Sequence, residues 1–153
     1  MTDAVFDKFI AHLRESDGVS QPLLDHLRAT SEMTATFASK IGLEDHGRLI
    51  GLLHDLGKAS DEFDTYIRSA VGLLDADEDE YVDAAGKKGK VDHSSAGAQV
   101  LYRFLSAQGP EGAIAAQVLA LPVASHHSGM IDCVSPDGKN NYRRRMDKAE
   151  EKT

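Results

Sequence analysis

Leu49-Ile50-Gly51-Leu52-Leu53-His54-Asp55-Leu56-Gly57-Lys58 decides how this chain is read. Leu49, Ile50, Leu52, Leu53 and Leu56 recur at helical spacing and leave a wide apolar face. Residues 44–56 therefore predict a helix near the centre of the fold, stopped by Gly57. His54 and Asp55, two side chains able to bind metal, follow the apolar run directly. Burying them is costly unless a charged group is bound there, because buried polar atoms need partners.

The flanking segments read as helices too. Ser20-Gln21-Pro22 opens a long one reaching Ile41, with Ser20 as cap, Pro22 in the first turn and Gly42 at the C-terminal cap. Before it, Phe6, Phe9, Ile10 and Leu13 form a short helical pattern that Asp17-Gly18 breaks. Ser60 caps a helix bearing Phe63, Ile67, Val71 and Leu74. Residues 75–92, rich in Asp, Glu, Gly and Lys, predict a mobile surface loop without the spacing of a calcium loop. Asp92 caps a helix over 93–107, with Ala96, Val100, Leu101, Phe104 and Leu105 inward. Pro110 opens another through Ile114, Val118 and Leu121, and Pro122 predicts a kink before His126. Periodicity fades after Gly129; Ser135-Pro136-Asp137-Gly138 reads as a turn, and residues 131–153 as a charged irregular tail. No internal repeat or boundary interrupts the pattern, so residues 1–153 predict one all-α domain, a helical bundle.

Composition bounds the chemistry. A chain of 153 residues suits one domain with a core of its own. The single cysteine, Cys133, excludes a disulfide framework and a cysteine-based zinc site, which fits a reducing cytosol. No signal pattern opens the chain, and no apolar run approaches the roughly 18 residues of a membrane span. The expected location is the cytoplasm, without membrane association. A net charge of −8 makes a poor autonomous nucleic-acid binder, since Lys and Arg supply most non-specific affinity. Lys87-Lys88-Gly89-Lys90 and Arg143-Arg144-Arg145 are local exceptions. If nucleic acid is the substrate, metal ions or a partner must supply attraction.

Four histidine clusters are spread along the chain: His26, His54-Asp55, Asp92-His93 and His126-His127. Imidazole with carboxylate is the ligand chemistry of a hydrolytic transition-metal centre. Adjacent helical side chains diverge by about 100°, so His54 and Asp55 cannot share one metal from a helix face. At a helix end, Asp55 can point between two ions while His54 binds one. Two such pairs, with His26 and His93 from two more helices, suit a binuclear site at helix ends in a bundle; unrelated core or surface histidines are the plain alternative. His46 reads as exposed, and His12 as a surface or supporting residue. Lys58 is placed either to meet a substrate phosphate or to sit at a helix C-terminus favoured by the macrodipole. Ser94 and Ser128, each following a candidate ligand, read as substrate contacts or as helix caps.

These residues resemble a family. His54-Asp55 with Gly57-Lys58, preceded by a helical segment bearing His26, resembles the HD superfamily of metal-dependent phosphohydrolases. A more specific match is carried by Phe9-Ile10-Ala11-His12, Leu23-Leu24-Asp25-His26-Leu27, Leu52-Leu53-His54-Asp55-Leu56-Gly57-Lys58, Asp92-His93-Ser94-Ser95-Ala96-Gly97-Ala98 and Ser125-His126-His127-Ser128-Gly129, in that order. The nearer likeness is to the HD nuclease domain of the type I CRISPR interference helicase-nuclease, over residues 9–130. A lone His-Asp dipeptide is weak evidence, whereas the full ordered set is specific. The resemblance implies that His26, His54 and Asp55 hold a first metal. It implies that Asp55, His93, His126 and His127 hold a second, with Asp55 bridging and catalytically essential. It also implies one further aspartate for the first metal, from a later helix. Asp132, Asp137 and Asp147 do not match that context, so the expectation is a C-terminally truncated domain or a weakened first site.

The implied activity is endonucleolytic or exonucleolytic hydrolysis of single-stranded DNA in CRISPR interference. Its expected partners are a helicase domain or subunit and the RNA-guided surveillance complex. Two-metal hydrolysis needs ions roughly 3.5–4 Å apart, and a histidine-rich set favours Fe, Mn, Co, Ni or Zn over Mg. An aromatic content of 6% argues against a base-stacking platform, hence for sequence-independent cleavage. Two alternatives stand beside it: a phosphohydrolase of nucleotides or a nucleotide second messenger, and a non-catalytic docking module of a CRISPR complex.

Overall fold

A computed structural model describes residues 8–14, 16–70, 92–127 and 129–149. The expected mobile loop falls mostly outside them, as does Ser128. The chain is mostly helical, as its periodicity predicts, but it begins with a hairpin. β1 (Ile10–Arg14) pairs antiparallel with β2 (Val19–Pro22), with a bulge between Ile10 and His12. Here the helical reading of Phe9, Ile10 and Leu13 and the capping role of Ser20 are both overturned. Phe9, Ala11 and Leu13 also fit strand spacing, and turn chemistry decides between the two periods. Gly18 sits at φ +69°, and its N–H donates to the Arg14 carbonyl at 2.9 Å. The Asp17 carboxylate accepts from the Arg14 guanidinium at 2.8 and 2.6 Å and from the Val19 N–H at 3.2 Å. Asp-Gly between β-capable residues is a hairpin signal. Phe9 and Ala11 then bury against Leu23 and Leu27.

Pro22 stands at the N-cap of α1 (Leu23–Ser39), where its missing N–H costs nothing. Leu23, Leu27, Ser31 and Ala35 form its buried stripe. Gly42, at φ +74°, lets the Leu43 N–H return to the Ala38 carbonyl at 3.0 Å and closes the helix. α2 (Glu44–Leu53) packs on α1 through small residues. A Cβ at Gly51 would stand 2.7 Å from Ser31 Cα, and one at Gly47 2.5 Å from the Thr34 carbonyl oxygen. The Ser31 hydroxyl donates to the Arg48 carbonyl at 2.8 Å, and Thr34 to that of Gly47 at 2.7 Å. Leu49, Ile50 and Leu53 turn the other way and pack on the main core.

A short 3-10 turn (Leu56–Lys58) leads to α3 (Asp61–Ala70), whose Phe63 N–H is capped by the Ser60 hydroxyl at 3.2 Å. α4 (Ser94–Ser106) and α5 (Pro110–Ser125) bury Ala98, Leu101, Leu119, Ala120, Val123 and Ala124. Val100 and Phe104, expected inward, are 48% and 65% exposed; Ile114 and Val118 are 64% and 63% exposed. The helices meet along their small residues, which allow the closest approach, and this rotates the larger apolar side chains outward. α5 stays helical across Pro122. The tail is not irregular throughout: α6 (Asn141–Met146), capped by the Asn140 side chain, buries Tyr142 and Met146 in the core. Gln99 fastens it by donating to the carbonyls of Arg145 and Lys148 at 2.8 and 2.9 Å.

Candidate metal centre

Asp55 lies where α2 has ended. Its backbone leaves helical geometry, at φ −111° and ψ 19°, so its side chain and that of His54 face one centre despite being adjacent. Asp55 is 2% exposed, and its two oxygens face different partners. Oδ2 lies 3.1 Å from His26 Nε2, 3.2 Å from His54 Nε2 and 3.0 Å from Lys58 Nζ. Oδ1 lies 3.1 Å from His126 Nε2, 3.7 Å from His93 Nε2 and 3.8 Å from His127 Nε2.

Four helices and the 3-10 turn that holds Lys58 carry these side chains, and close backbone contacts set their meeting. A Cβ at Gly97 would be 1.8 Å from the Leu53 carbonyl oxygen, and one at Gly57 2.3 Å from that of His93. Only glycine lets the start of α4 rest on the end of α2. Asp92 then fixes His93 by accepting from the backbone N–H groups of Ser94 and Ser95 at 3.1 Å each. Burial alone would raise the Asp92 carboxyl; bonds from Lys148 and Ser95 outweigh it and bring the pKa down to about 2.

Second partners orient the rings. His54 Nδ1 lies 2.7 Å from the Gly51 carbonyl oxygen, and His126 Nδ1 lies 2.7 Å from that of Val123. A carbonyl oxygen only accepts, so Nδ1 carries the proton and neutral imidazole leaves a lone pair on Nε2. Both lone pairs point at the Asp55 carboxylate. His26 Nε2 also stands 3.1 Å from His54 Nε2, and His93 Nε2 stands 2.6 Å from His127 Nε2. Acceptors converging on acceptors make a cradle for cations, so this donor set fits divalent metal ions. Donor atoms of Asp55, His93, His126 and His127 lie within 4.8 Å of one another, as do those of His12, His26 and Asp55.

The charges agree with the geometry. Burial would raise the Asp55 carboxyl, but the facing His126 and His54 rings, which donate to it from Nε2 when they carry a second proton, and the charge of Lys58 hold it far below the usual carboxylate range. Burial lowers the pKa of His26 and of His127, which favours their neutral, ligating forms. For His54 burial acts the same way, yet the facing Asp55 carboxylate prevails and raises it, so positive charge at Nε2, whether a proton or a metal ion, is favoured there.

The structure thus gathers His26, His54, Asp55, His93, His126 and His127, whose grouping the sequence predicts. Lys58 is placed otherwise than as a free charge. It is 4% exposed, pairs with Asp55, and donates to the Ala11 carbonyl at 3.0 Å. Ser94 is buried, donating to Asp92 at 3.2 Å and accepting from Arg145 at 2.7 Å. Asp137 pairs with Lys139, Asp147 with Arg143, and neither these nor Asp132 belong to the two donor groups. His46 is exposed and outside both. His12, set apart in the sequence, joins the cluster with its ring 4.7 Å from that of His26. Recognising Asp17-Gly18 as a hairpin turn would have shown that strand pairing brings residue 12 back over the start of α1.

Among known families, the model for the HD domain of Cas3 matches residues 2–152. No curated protein matches the chain.

Proposed function

This chain belongs to the Cas3 HD-domain family, and from that premise we propose that it hydrolyses phosphodiester bonds of single-stranded DNA in CRISPR interference. Membership brings metal-dependent nuclease or phosphohydrolase chemistry on nucleic acid in a CRISPR context. The observation that carries the finer reading is Asp55, one buried carboxylate whose two oxygens each face a separate set of imidazoles.

In this reading residues 1–153 act as one nuclease domain. His26, His54 and Asp55 hold one divalent transition-metal ion, and Asp55, His93, His126 and His127 hold another. Fe, Mn, Co, Ni and Zn suit the donors better than Mg. When bound, such ions act as Lewis acids, making water nucleophilic at neutral pH and offsetting charge on the phosphate. The chain's own groups do the positioning. The carbonyls of Gly51 and Val123 fix the tautomers of His54 and His126. Lys58 holds Oδ2 of Asp55 in place and is a positioning residue, and Ser94 supports His93 through the Asp92 cap.

An acidic chain with few aromatics has little purchase on bases, so cleavage is independent of sequence and depends on a helicase domain or subunit and an RNA-guided complex to deliver the strand. None of the described helices is long and apolar enough to cross a membrane, in keeping with action in the cytoplasm. The test loads the protein with each of the five metals and follows cleavage of single-stranded DNA, duplex DNA and nucleotide monoesters. Single-stranded DNA should be cut and duplex spared, with Asp55→Ala inactive. Hydrolysis of monoesters alone would overturn the reading in favour of a nucleotide phosphohydrolase. No hydrolysis with any of the metals would overturn it in favour of a docking module.

A further inference from the structure

We propose that His12 is a ligand of the metal position formed by His26, His54 and Asp55, which makes that position three histidines and one carboxylate. The inference rests on the two-position reading above and adds to it a residue from outside the helices. Donor atoms of His12, His26 and Asp55 lie within 4.8 Å of one another. Bonds of about 2.0–2.2 Å allow two donors on one ion to stand up to roughly 4.3 Å apart. The His12 ring already stands edge-on to that of His26, 4.7 Å between ring centres, so only a small turn separates it from ligand distance.

The backbone beneath His12 is held toward the centre. The Ala11 carbonyl accepts from Lys58 Nζ at 3.0 Å, and the same ammonium contacts Asp55 Oδ2 at 3.0 Å. One buried lysine thus ties the residue next to His12 to the carboxylate shared by both positions. Across the hairpin, His12 is opposite Gln21, and the Leu23 N–H donates to the Phe9 carbonyl at 2.9 Å, which joins β1 to the start of the helix that carries His26. The bulge immediately before His12 is the kind of irregularity that re-aims a side chain beside a functional site.

Ligand number points the same way. Among the described residues, one position has four side chains, Asp55, His93, His126 and His127, while the other has three without His12. Asp137 and Asp147 are paired at the surface, and Asp132 lies outside both groups. His12 makes the two positions equal in count.

The experiment uses the whole chain and Co(II). Ions bound per chain are counted and their affinities measured by competition for wild type, His12→Ala, His12→Gln and His127→Ala. Wild type should hold two ions. Both His12 variants should weaken one ion by at least about tenfold, the lower end for a lost supporting residue, and leave the other unchanged. His127→Ala should weaken the other. A second measurement needs no variant: carbethoxylation of wild-type histidines, with and without Co(II), read by mass spectrometry. Co(II) should protect His12 and leave the exposed His46 labelled as before. If wild type holds fewer than two ions, the two-position reading fails and the inference with it. If wild type holds two and both His12 variants bind them unchanged, or if Co(II) leaves His12 labelling unaltered, the inference alone is overturned.

Discussion

Asp55 and Lys58 form a buried pair, and removing one partner leaves the other charge without compensation. Asp55→Ala should therefore do two separable things. Cleavage should fall by at least about 100-fold, more than the 10–100-fold typical of residues that only support a ligand. Stability should also fall by about 3–5 kcal/mol, from the stranded ammonium. The double variant Asp55→Ala/Lys58→Met should recover most of the urea midpoint but none of the cleavage, which separates the chemical role from the structural one. Asp92 gives a pH signature. Its folded pKa of about 2 lies below the roughly 3.9 of an unfolded aspartate. It therefore adds stability above pH 4 that is lost as pH falls toward 2. Asp92→Ala, which uncaps α4, should cost about 1–2 kcal/mol at pH 7. Urea unfolding repeated across pH should show the gap between variant and wild type shrinking from pH 4 to pH 2.

Where α2 meets α4, the closest contact is made through a glycine. Gly97→Ala puts a methyl group into the Leu53 carbonyl, 1.8 Å away before relaxation, so α4 must move from the end of α2. The expected cost is about 1–3 kcal/mol, with weaker Co(II) binding because His93 travels with α4. Val100→Ala on the same helix removes a larger group, yet Val100 is 48% exposed and should change stability by no more than about 0.5 kcal/mol. Urea unfolding and Co(II) titration of both variants check the contrast, and equal effects would show that the close approach carries no strain. Helical periodicity could not have ranked these positions. It weights large apolar residues, whereas here the tightest interface is made by the absence of side chains.

The protein as a body is acidic, with a charge of −8, and its proposed substrate is a polyanion. Bound cations are then part of how the two meet. Chelator-treated protein should lose measurable affinity for single-stranded DNA in fluorescence anisotropy at about 150 mM salt, since few phosphates can be neutralised by the chain alone. Undiminished binding would mean that Arg143-Arg144-Arg145 and Lys87-Lys88-Gly89-Lys90 suffice without metal. Metal removal should also lower the melting temperature. An ion at 100 times its dissociation constant stabilises by about 2.7 kcal/mol. At roughly 2–4 °C per kcal/mol for a chain of this size, the drop should be about 5–10 °C per occupied position, readable in a thermal scan.

The helical class and five of the clustered histidines, with Asp55, could be read from the chain because both leave local marks. A 3.6-residue period shows within a dozen residues, and adjacent ligands at a helix end stand out by their cost. What could not be read was set by contacts distant in sequence. His12 lacks a ligand-bearing neighbour, and its place depends on a turn at Asp17-Gly18 and on a bond between Lys58 and Ala11, 47 positions apart. Lys58 looks like a surface cation until the Asp55 carboxylate and the Ala11 carbonyl close over it. The inward faces of α4 and α5 follow from which small residues let two backbones approach most closely, which depends on both helices together. Local periodicity can select helix or strand and mark a residue's chemistry, but burial, pairing and convergence are properties of surfaces that exist only once the segments have met.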